Sequence, residues 1–405
     1  MNIVIIGLSI TSSWGNGHAT TYRGLVRELA RRGHDVLFLE RDLEWYASNR
    51  DLPEPPFGRT ELYQNVAELR ERFAAPVRDA DAVIVGSYVQ EGIAIGEWVT
   101  QTARGVSVFY DIDTPVTLAK LIGGDIDYLS RALIPRYDTY LSFTGGPTLR
   151  RIEREFGSPM ARALYCSFDP ELYFPEPQEP KWDLGYMGTY SDDRQPPLER
   201  LMLEAAQAWS AGRFIVAGPM YPNAIRWPGN VERIVHLSPR EHRAFYNAQL
   251  FTLNITRADM KAAGYSPSVR LFEAAACATP IVSDHWDGIG ELFEIGDEIL
   301  ISRSACDTLR FLRELPDEKR RAIGEKARQR VLRNHTAAHR AAELERHLHE
   351  ARKPRVRVGG GSLAQENDDN LRRANESAKE SRPGRYHGAA RPAYAPENYV
   401  YSTHV

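Results

Sequence analysis

Short, almost wholly apolar runs recur along this chain, each followed by a stretch of helix-forming residues. The first is NIVIIG, Asn2 to Gly7; a helical stretch over residues 19–32 follows, closed by Gly33, and DVLFLE, Asp35 to Glu40, comes next. A strand with one wet face alternates apolar and polar residues, whereas a parallel strand covered by helices on both faces reads as a continuous apolar run. DAVIVGS at 81–87, GVSVFYDID at 105–113 and TYLSFT at 139–144 repeat the pattern. The first half is therefore expected to be a doubly wound parallel sheet. FDPELYFPEPQEPKWD, 168–183, then holds four prolines and breaks the alternation as an inter-domain linker would. The pattern restarts with DLGYMGT (183–189), RFIVAGP (213–219), VERIVHL (231–237), LFTLNIT (250–256), TPIVSD (279–284) and EILIS (298–302). The expected class is α/β, with two tandem Rossmann-like domains over 1–170 and 183–335 joined by a linker at 171–182. A C-terminal helix over 336–353 is read as crossing back to the first domain. Residues 354–405, with GGGS at 359–362 and then rich in Asn, Asp, Glu, Ser and Pro, are read as a disordered tail.

A chain of 405 residues with 42% hydrophobic content supplies two cores of ordinary size. Its formal net charge of −3 argues against general nucleic-acid binding. Cys166, Cys277 and Cys306 are odd in number and lack ligand spacing, so neither a disulfide framework nor a metal site is expected. The apolar stretch Ile3 to Ile6 is too short for a signal-peptide core and no run approaches a membrane span. The chain reads as a cytoplasmic protein without a transmembrane segment.

Candidate chemistry gathers in the loops that follow the strands. GLSITSSWGNGHAT, 7–20, places Gly15, Gly17 and His18 before the first helix. Glycine lets backbone approach a ligand, and a neutral histidine at a positive helix end is a candidate base. A dinucleotide turn would be much shorter than this loop, although Glu40 ends the next strand where a ribose-gripping acid would stand. FYDIDTP, 109–115, puts Asp111 and Asp113 at a strand's carboxyl end; either is a base, a hydroxyl grip or a turn former before Thr114-Pro115. In the second half Gly188, Thr189 and Arg194 form another phosphate-loop candidate, Gly218-Pro219 ends a strand, and Arg257 closes LNITR. AGYSPSVRLFEAAACATPIVSD, 263–284, reads as a helix capped by Ser266 with Pro267 at its first position. Its first-turn N–H groups on Ser268, Val269 and Arg270 then suit a phosphate. Glu273, further along, is placed to accept both hydroxyls of a ribose.

Taken together, the two Rossmann-like halves, FDPELYFP and SPSVRLFEAAACATPIVSDHWDGIGELFEIGDEILI resemble the GT-B glycosyltransferases. Within them the resemblance is to the group-1-like family related to spore maturation protein CgeB, over residues 1–347. It implies metal-independent transfer of a sugar, a hexose above all, from a nucleoside-diphosphate-sugar to a hydroxyl-bearing acceptor in the inter-domain cleft. The donor, UDP- or dTDP-linked, is a co-substrate and no cofactor is implied. The acceptor class, whether glycan, lipid, protein or small molecule, stays open. By this resemblance Glu273 takes the ribose, the backbone of Ser268 and Val269 the diphosphate, and His236 and Leu237 lie near the base. Retaining relatives carry a glutamate eight residues before the ribose glutamate, where this chain has Tyr265, so that residue is counted with the donor site and the stereochemistry stays open. An inverting displacement would use His18 as base with Asp113 as helper. Acceptor contacts are expected in loops such as 41–76, with WYASNRDLPEPPFGR. The competing readings are a nucleotide-sugar epimerase, a dehydrogenase that uses Glu40, and a non-catalytic sugar- or partner-binding module on the same fold.

Overall fold

A computed structural model describes residues 1–14 and 17–352; Gly15 and the tail expected over 354–405 lie outside the described residues. Seven strands form one wholly parallel sheet: β1 (Asn2–Gly7), β2 (Asp35–Arg41), β3 (Arg59–Tyr63), β4 (Ala82–Gly86), β5 (Val106–Asp111), β6 (Thr139–Ser142) and β7 (Ala161–Ala163). Their order is β3-β2-β1-β4-β5-β6-β7. Six more, β8 (Trp182–Met187), β9 (Phe214–Ala217), β10 (Val231–Ile234), β11 (Gln249–Asn254), β12 (Ile281–Ser283) and β13 (Leu300–Ile301), form a second parallel sheet in the order β10-β9-β8-β11-β12-β13.

The apolar runs are these strands, and their burial explains why they are legible. Every residue of β4, β5, β6 and β9 is buried, which is what helices on both faces require. The strands that the pattern does not announce lie at the edges of the first sheet. β3 reads RTELY and buries only Tyr63 fully, while β7 is three residues long. The stretch 41–76, expected to be acceptor loop, therefore holds an edge strand and the start of a helix, Val66–Asp79.

Strand order reverses direction between β1 and β4 in the first sheet and between β8 and β11 in the second. In open α/β sheets such switch points leave a crevice at the carboxyl ends where ligands bind. Main-chain hydrogen bonds tie the two halves together, among them Gly145 N–H to Tyr265 O at 2.9 Å. Phe168 donates its N–H to His335 O at 3.4 Å, and Ala337 donates back to Phe168 O at 3.0 Å. The helix Ala337–Arg352 then packs on the helix His18–Arg31, burying Ala341, Leu344 and Leu348. Buried Arg340 fixes the turn by donating to the carbonyls of Tyr165 and Cys166 at 3.0 and 3.2 Å.

Candidate active site

Both switch points open on one cleft. Its first wall comes from the loops after β1, β4 and β5. Gly17 is the N-cap of the helix His18–Arg31 and lines the cavity with His18. The His18 ring meets Tyr88 edge-on, centroids 5.5 Å apart, and its Nδ1 is buried with no partner among the described residues. Burial pushes the imidazole down to about 3, so it stays neutral. Tyr88 donates to Asp113 Oδ2 at 2.9 Å, while Asp113 Oδ1 is buried without a partner among the described residues. Burial raises the Asp113 carboxyl, against the pull of Arg257. Asp111 turns away from this role. It accepts from Tyr140, from Thr117 Oγ1 at 2.9 Å and from the Asp113 N–H at 3.2 Å, and burial lifts it to about 6.

The second wall is cationic. Arg194, only 2% exposed, donates from Nη2 to Thr189 O at 2.6 Å and from Nε to Ser191 Oγ at 2.8 Å; its Nη1 has no partner among the described residues. Burial pulls its guanidinium down, and the charges of Arg270 and Arg257 add to this. Arg270 donates to Met187 O at 2.7 Å and Ile255 O at 3.5 Å. Neither arginine has a carboxylate in ion-pair range among the described residues. The glycines here make room: a Cβ on Gly188 would sit 2.8 Å from Arg270 Nη1, and one on Gly218, at φ +149°, would sit 2.0 Å from Gly188 O. Pro219 O accepts from the Tyr190 N–H at 3.1 Å and joins the two loops.

The helix expected to start at Ser266 and Pro267 starts later. It runs Val269–Ala276 with Ser268 at the N-cap, and Ser268 Oγ donates to Asn254 Oδ1 at 3.1 Å. Ser266 is not the cap; its hydroxyl accepts from Thr144 Oγ1 of the first half at 2.9 Å. Tyr265, at φ +51°, lays its ring against Gly146 and Gly288 at the seam between the halves. It is not among the residues lining the cavity, whereas Ser268, Val269 and Arg270 are.

Glu273 departs furthest from its expected place. It is 1% exposed, accepts from Tyr246 Oη at 3.3 Å and lies 3.9 Å from His242 Nδ1. Tyr173 of the linker, 3.4 Å from the same His242 nitrogen, is buried over this cluster. A ribose reaches the carboxylate only if that cover shifts. His236 and Leu237 follow β10, and the His236 ring lies 5.5 Å from that of Trp14, so the first loop of one half meets the loop after β10 of the other. Glu40 accepts from Ser9 Oγ, Ile10 N, Thr11 N and Thr11 Oγ1 at 2.6 to 3.1 Å. It builds the first loop, and the dehydrogenase reading loses its ribose acid.

Tyr88, which touches both His18 and Asp113, is a residue that sequence reasoning passed over. It stands at φ +62°, a left-handed conformation rare for a bulky residue and found where the surroundings over-determine it. The available signal was its place: it follows β4, at the switch point facing the loop after β1.

The two-sheet architecture is the GT-B glycosyltransferase fold. Residues 194–346 match the family described as glycosyl transferase-like. No curated protein matches the chain. Sucrose-phosphate synthase from Thermosynechococcus elongatus superposes with a TM-score of 0.61 at 14% identity, over 87% of this chain and 100% of that one. HepE from Anabaena, solved with UDP and glucose, gives 0.63 at 13% identity over 86% and 99%. An alpha-glucosyltransferase solved with UDP-glucose and DNA containing an abasic site gives 0.64 at 13% identity over 86% and 98%.

Proposed function

We propose that the protein transfers a sugar, a hexose foremost, from a UDP- or dTDP-linked donor to a hydroxyl-bearing acceptor in the cleft between the two sheets. The CgeB-related assignment, metal-independent chemistry and a cytoplasmic setting belong to the same proposal. No described helix is long and apolar enough to cross a membrane. The observation that carries the reading is the pair of buried arginines, Arg194 and Arg270, without carboxylate partners among the described residues and facing His18 and Asp113 across the cavity. Buried cations without counter-ions favour an anionic ligand. A diphosphate fits them, and the helix start at Ser268 and Val269 adds N–H groups where the leaving group gains charge. The complexes of HepE and the alpha-glucosyltransferase with UDP or UDP-glucose support the choice of nucleotide.

On the opposite wall the acceptor hydroxyl loses its proton. An imidazole held down to about 3 binds a proton weakly, whereas a carboxyl raised by burial binds it better. Asp113 Oδ1 is therefore the proton acceptor in this reading and His18 the neutral ring that orients the hydroxyl, which reverses the roles expected from sequence.

Thermal unfolding against UDP, dTDP, GDP, CMP and NAD tests the proposal. A ligand at about 100 times its Kd adds about 2.7 kcal/mol of stability, so a shift with UDP or dTDP and none with NAD is the expected result. A shift with NAD alone would replace the transferase with a dehydrogenase.

A further inference from the structure

Arg257 spans the cleft. It leaves the carboxyl end of β11 as N-cap of the helix Ala258–Ala263, and its Nη1 lies 3.3 Å from Asp113 Oδ2 on the opposite wall. Among the described residues it differs in this from Arg194 and Arg270, which are held by carbonyl and serine oxygens. The cavity at this bond is lined by residues of both walls, His18, Asp113, Arg194 and Arg270 among them, and has a volume of about 70 Å³. The Arg257–Asp113 pair joins the two walls beside the place where a nucleoside diphosphate would bind.

We propose that Arg257 is a switch between two anions, Asp113 in the empty cleft and the donor's diphosphate in the loaded one. The inference rests on the reading of this cleft as a nucleoside-diphosphate-sugar site. A diphosphate carries more negative charge than a carboxylate and offers a guanidinium a two-pronged partner. Arg194 and Arg270 stand ready beside it. Once Arg257 leaves, Asp113 keeps its Tyr88 hydrogen bond and the weaker influence of Lys120, but loses the cation that most favours its ionised form. The carboxylate then becomes the stronger proton acceptor, and it does so only when a donor is present. The consequence is ordered addition: an acceptor hydroxyl that reaches an empty cleft finds Asp113 paired, and one that reaches a loaded cleft finds it free.

Calorimetric titration of the full chain with UDP tests the switch in a four-protein cycle of wild type, Asp113→Asn, Arg257→Ala and the double variant. Asparagine keeps the side-chain shape and an oxygen for Tyr88 to donate to. Asp113→Asn is expected to bind UDP about fivefold to tenfold more tightly, a coupling of ordinary size, because Arg257 no longer has to be drawn from a carboxylate. In the Arg257→Ala background the same change is expected to have little effect. Removing a negative charge near a bound anion helps in either background, so equal gains in both would overturn the switch. Unchanged or weaker UDP binding by Asp113→Asn would overturn it as well. If neither UDP nor dTDP binds any of the four proteins, the donor reading falls and the switch with it.

Discussion

On the first-sheet wall, buried polar groups are joined to one another: Tyr140 and Thr117 reach Asp111, Thr117 lies 3.0 Å from Tyr128 Oη, and Tyr88 reaches Asp113. On the second-sheet wall, buried guanidiniums are held by main-chain carbonyls that carry no formal charge. Both arrangements satisfy hydrogen bonds, but their electrostatics differ. The first wall is a low-dielectric array of hydroxyls and carboxyls in which burial raises Asp111 and Asp113 and lowers His18, a place to hold or pass a proton. The second gathers Arg194, Arg257 and Arg270 with Asp193 nearby, an excess of positive charge that in the proposed reaction holds an anion. The division of labour proposed for the halves follows from the way each buries its polar groups.

The largest effect should separate these two labours. Asp113→Asn is expected to lower kcat by about 10²- to 10⁴-fold, the ordinary worth of a general base, without weakening UDP binding. Arg270→Gln should do the opposite. It removes a buried charge-assisted contact worth about 2 kcal/mol or more, which is about 30-fold in UDP affinity, and leaves more of the rate at saturating donor. Steady-state kinetics beside calorimetry reads both. If each variant lost affinity and rate together, the walls would not be functionally distinct.

How much of this was legible follows the same contrast. The central strands were readable because strands buried on both faces are apolar throughout, and His18, Asp113, Arg194 and Arg257 were readable because they stand in the loops that follow such strands. β3 was hidden because an edge strand such as RTELY keeps polar residues. The fates of Ser266 and Glu273 were hidden for another reason. Thr144 lies 122 residues from Ser266, and Tyr246 lies 27 from Glu273, and no local pattern announces either contact. Glu40 shows the hazard of a positional signal taken alone: an acid at the end of β2 fits a ribose grip, yet its oxygens are occupied by the loop it shapes.

A smaller effect tests the low dielectric of the first wall. The His18 pKa is depressed to about 3 in the folded protein, against about 6.5 in the unfolded chain. Between those values the unfolded state binds the proton and the folded state does not, so stability falls as pH falls. At about 1.4 kcal/mol per pH unit, the wild type should lose about 2 kcal/mol relative to His18→Gln between pH 6.5 and 5. Urea unfolding at the two pH values measures it. An equal loss in both proteins would mean that His18 titrates normally and that the wall is wetter than its burial implies.

The smallest expected effect falls on Tyr88. Its hydroxyl favours the ionised form of Asp113, so Tyr88→Phe should raise the carboxyl further and move the acid limb of the kcat/KM profile to higher pH. A hydrogen bond to a charged group contributes about 1.5–3 kcal/mol, and the edge-on contact of the ring with His18 survives the change, so a loss of about tenfold in kcat is expected. UDP affinity should not fall, because the hydroxyl reaches Asp113 and none of the arginines. A structural role alone would lower the amount of active protein and leave the shape of the pH profile unchanged. A displaced acid limb with UDP binding intact instead makes Tyr88 the residue that sets how firmly the first wall holds its proton.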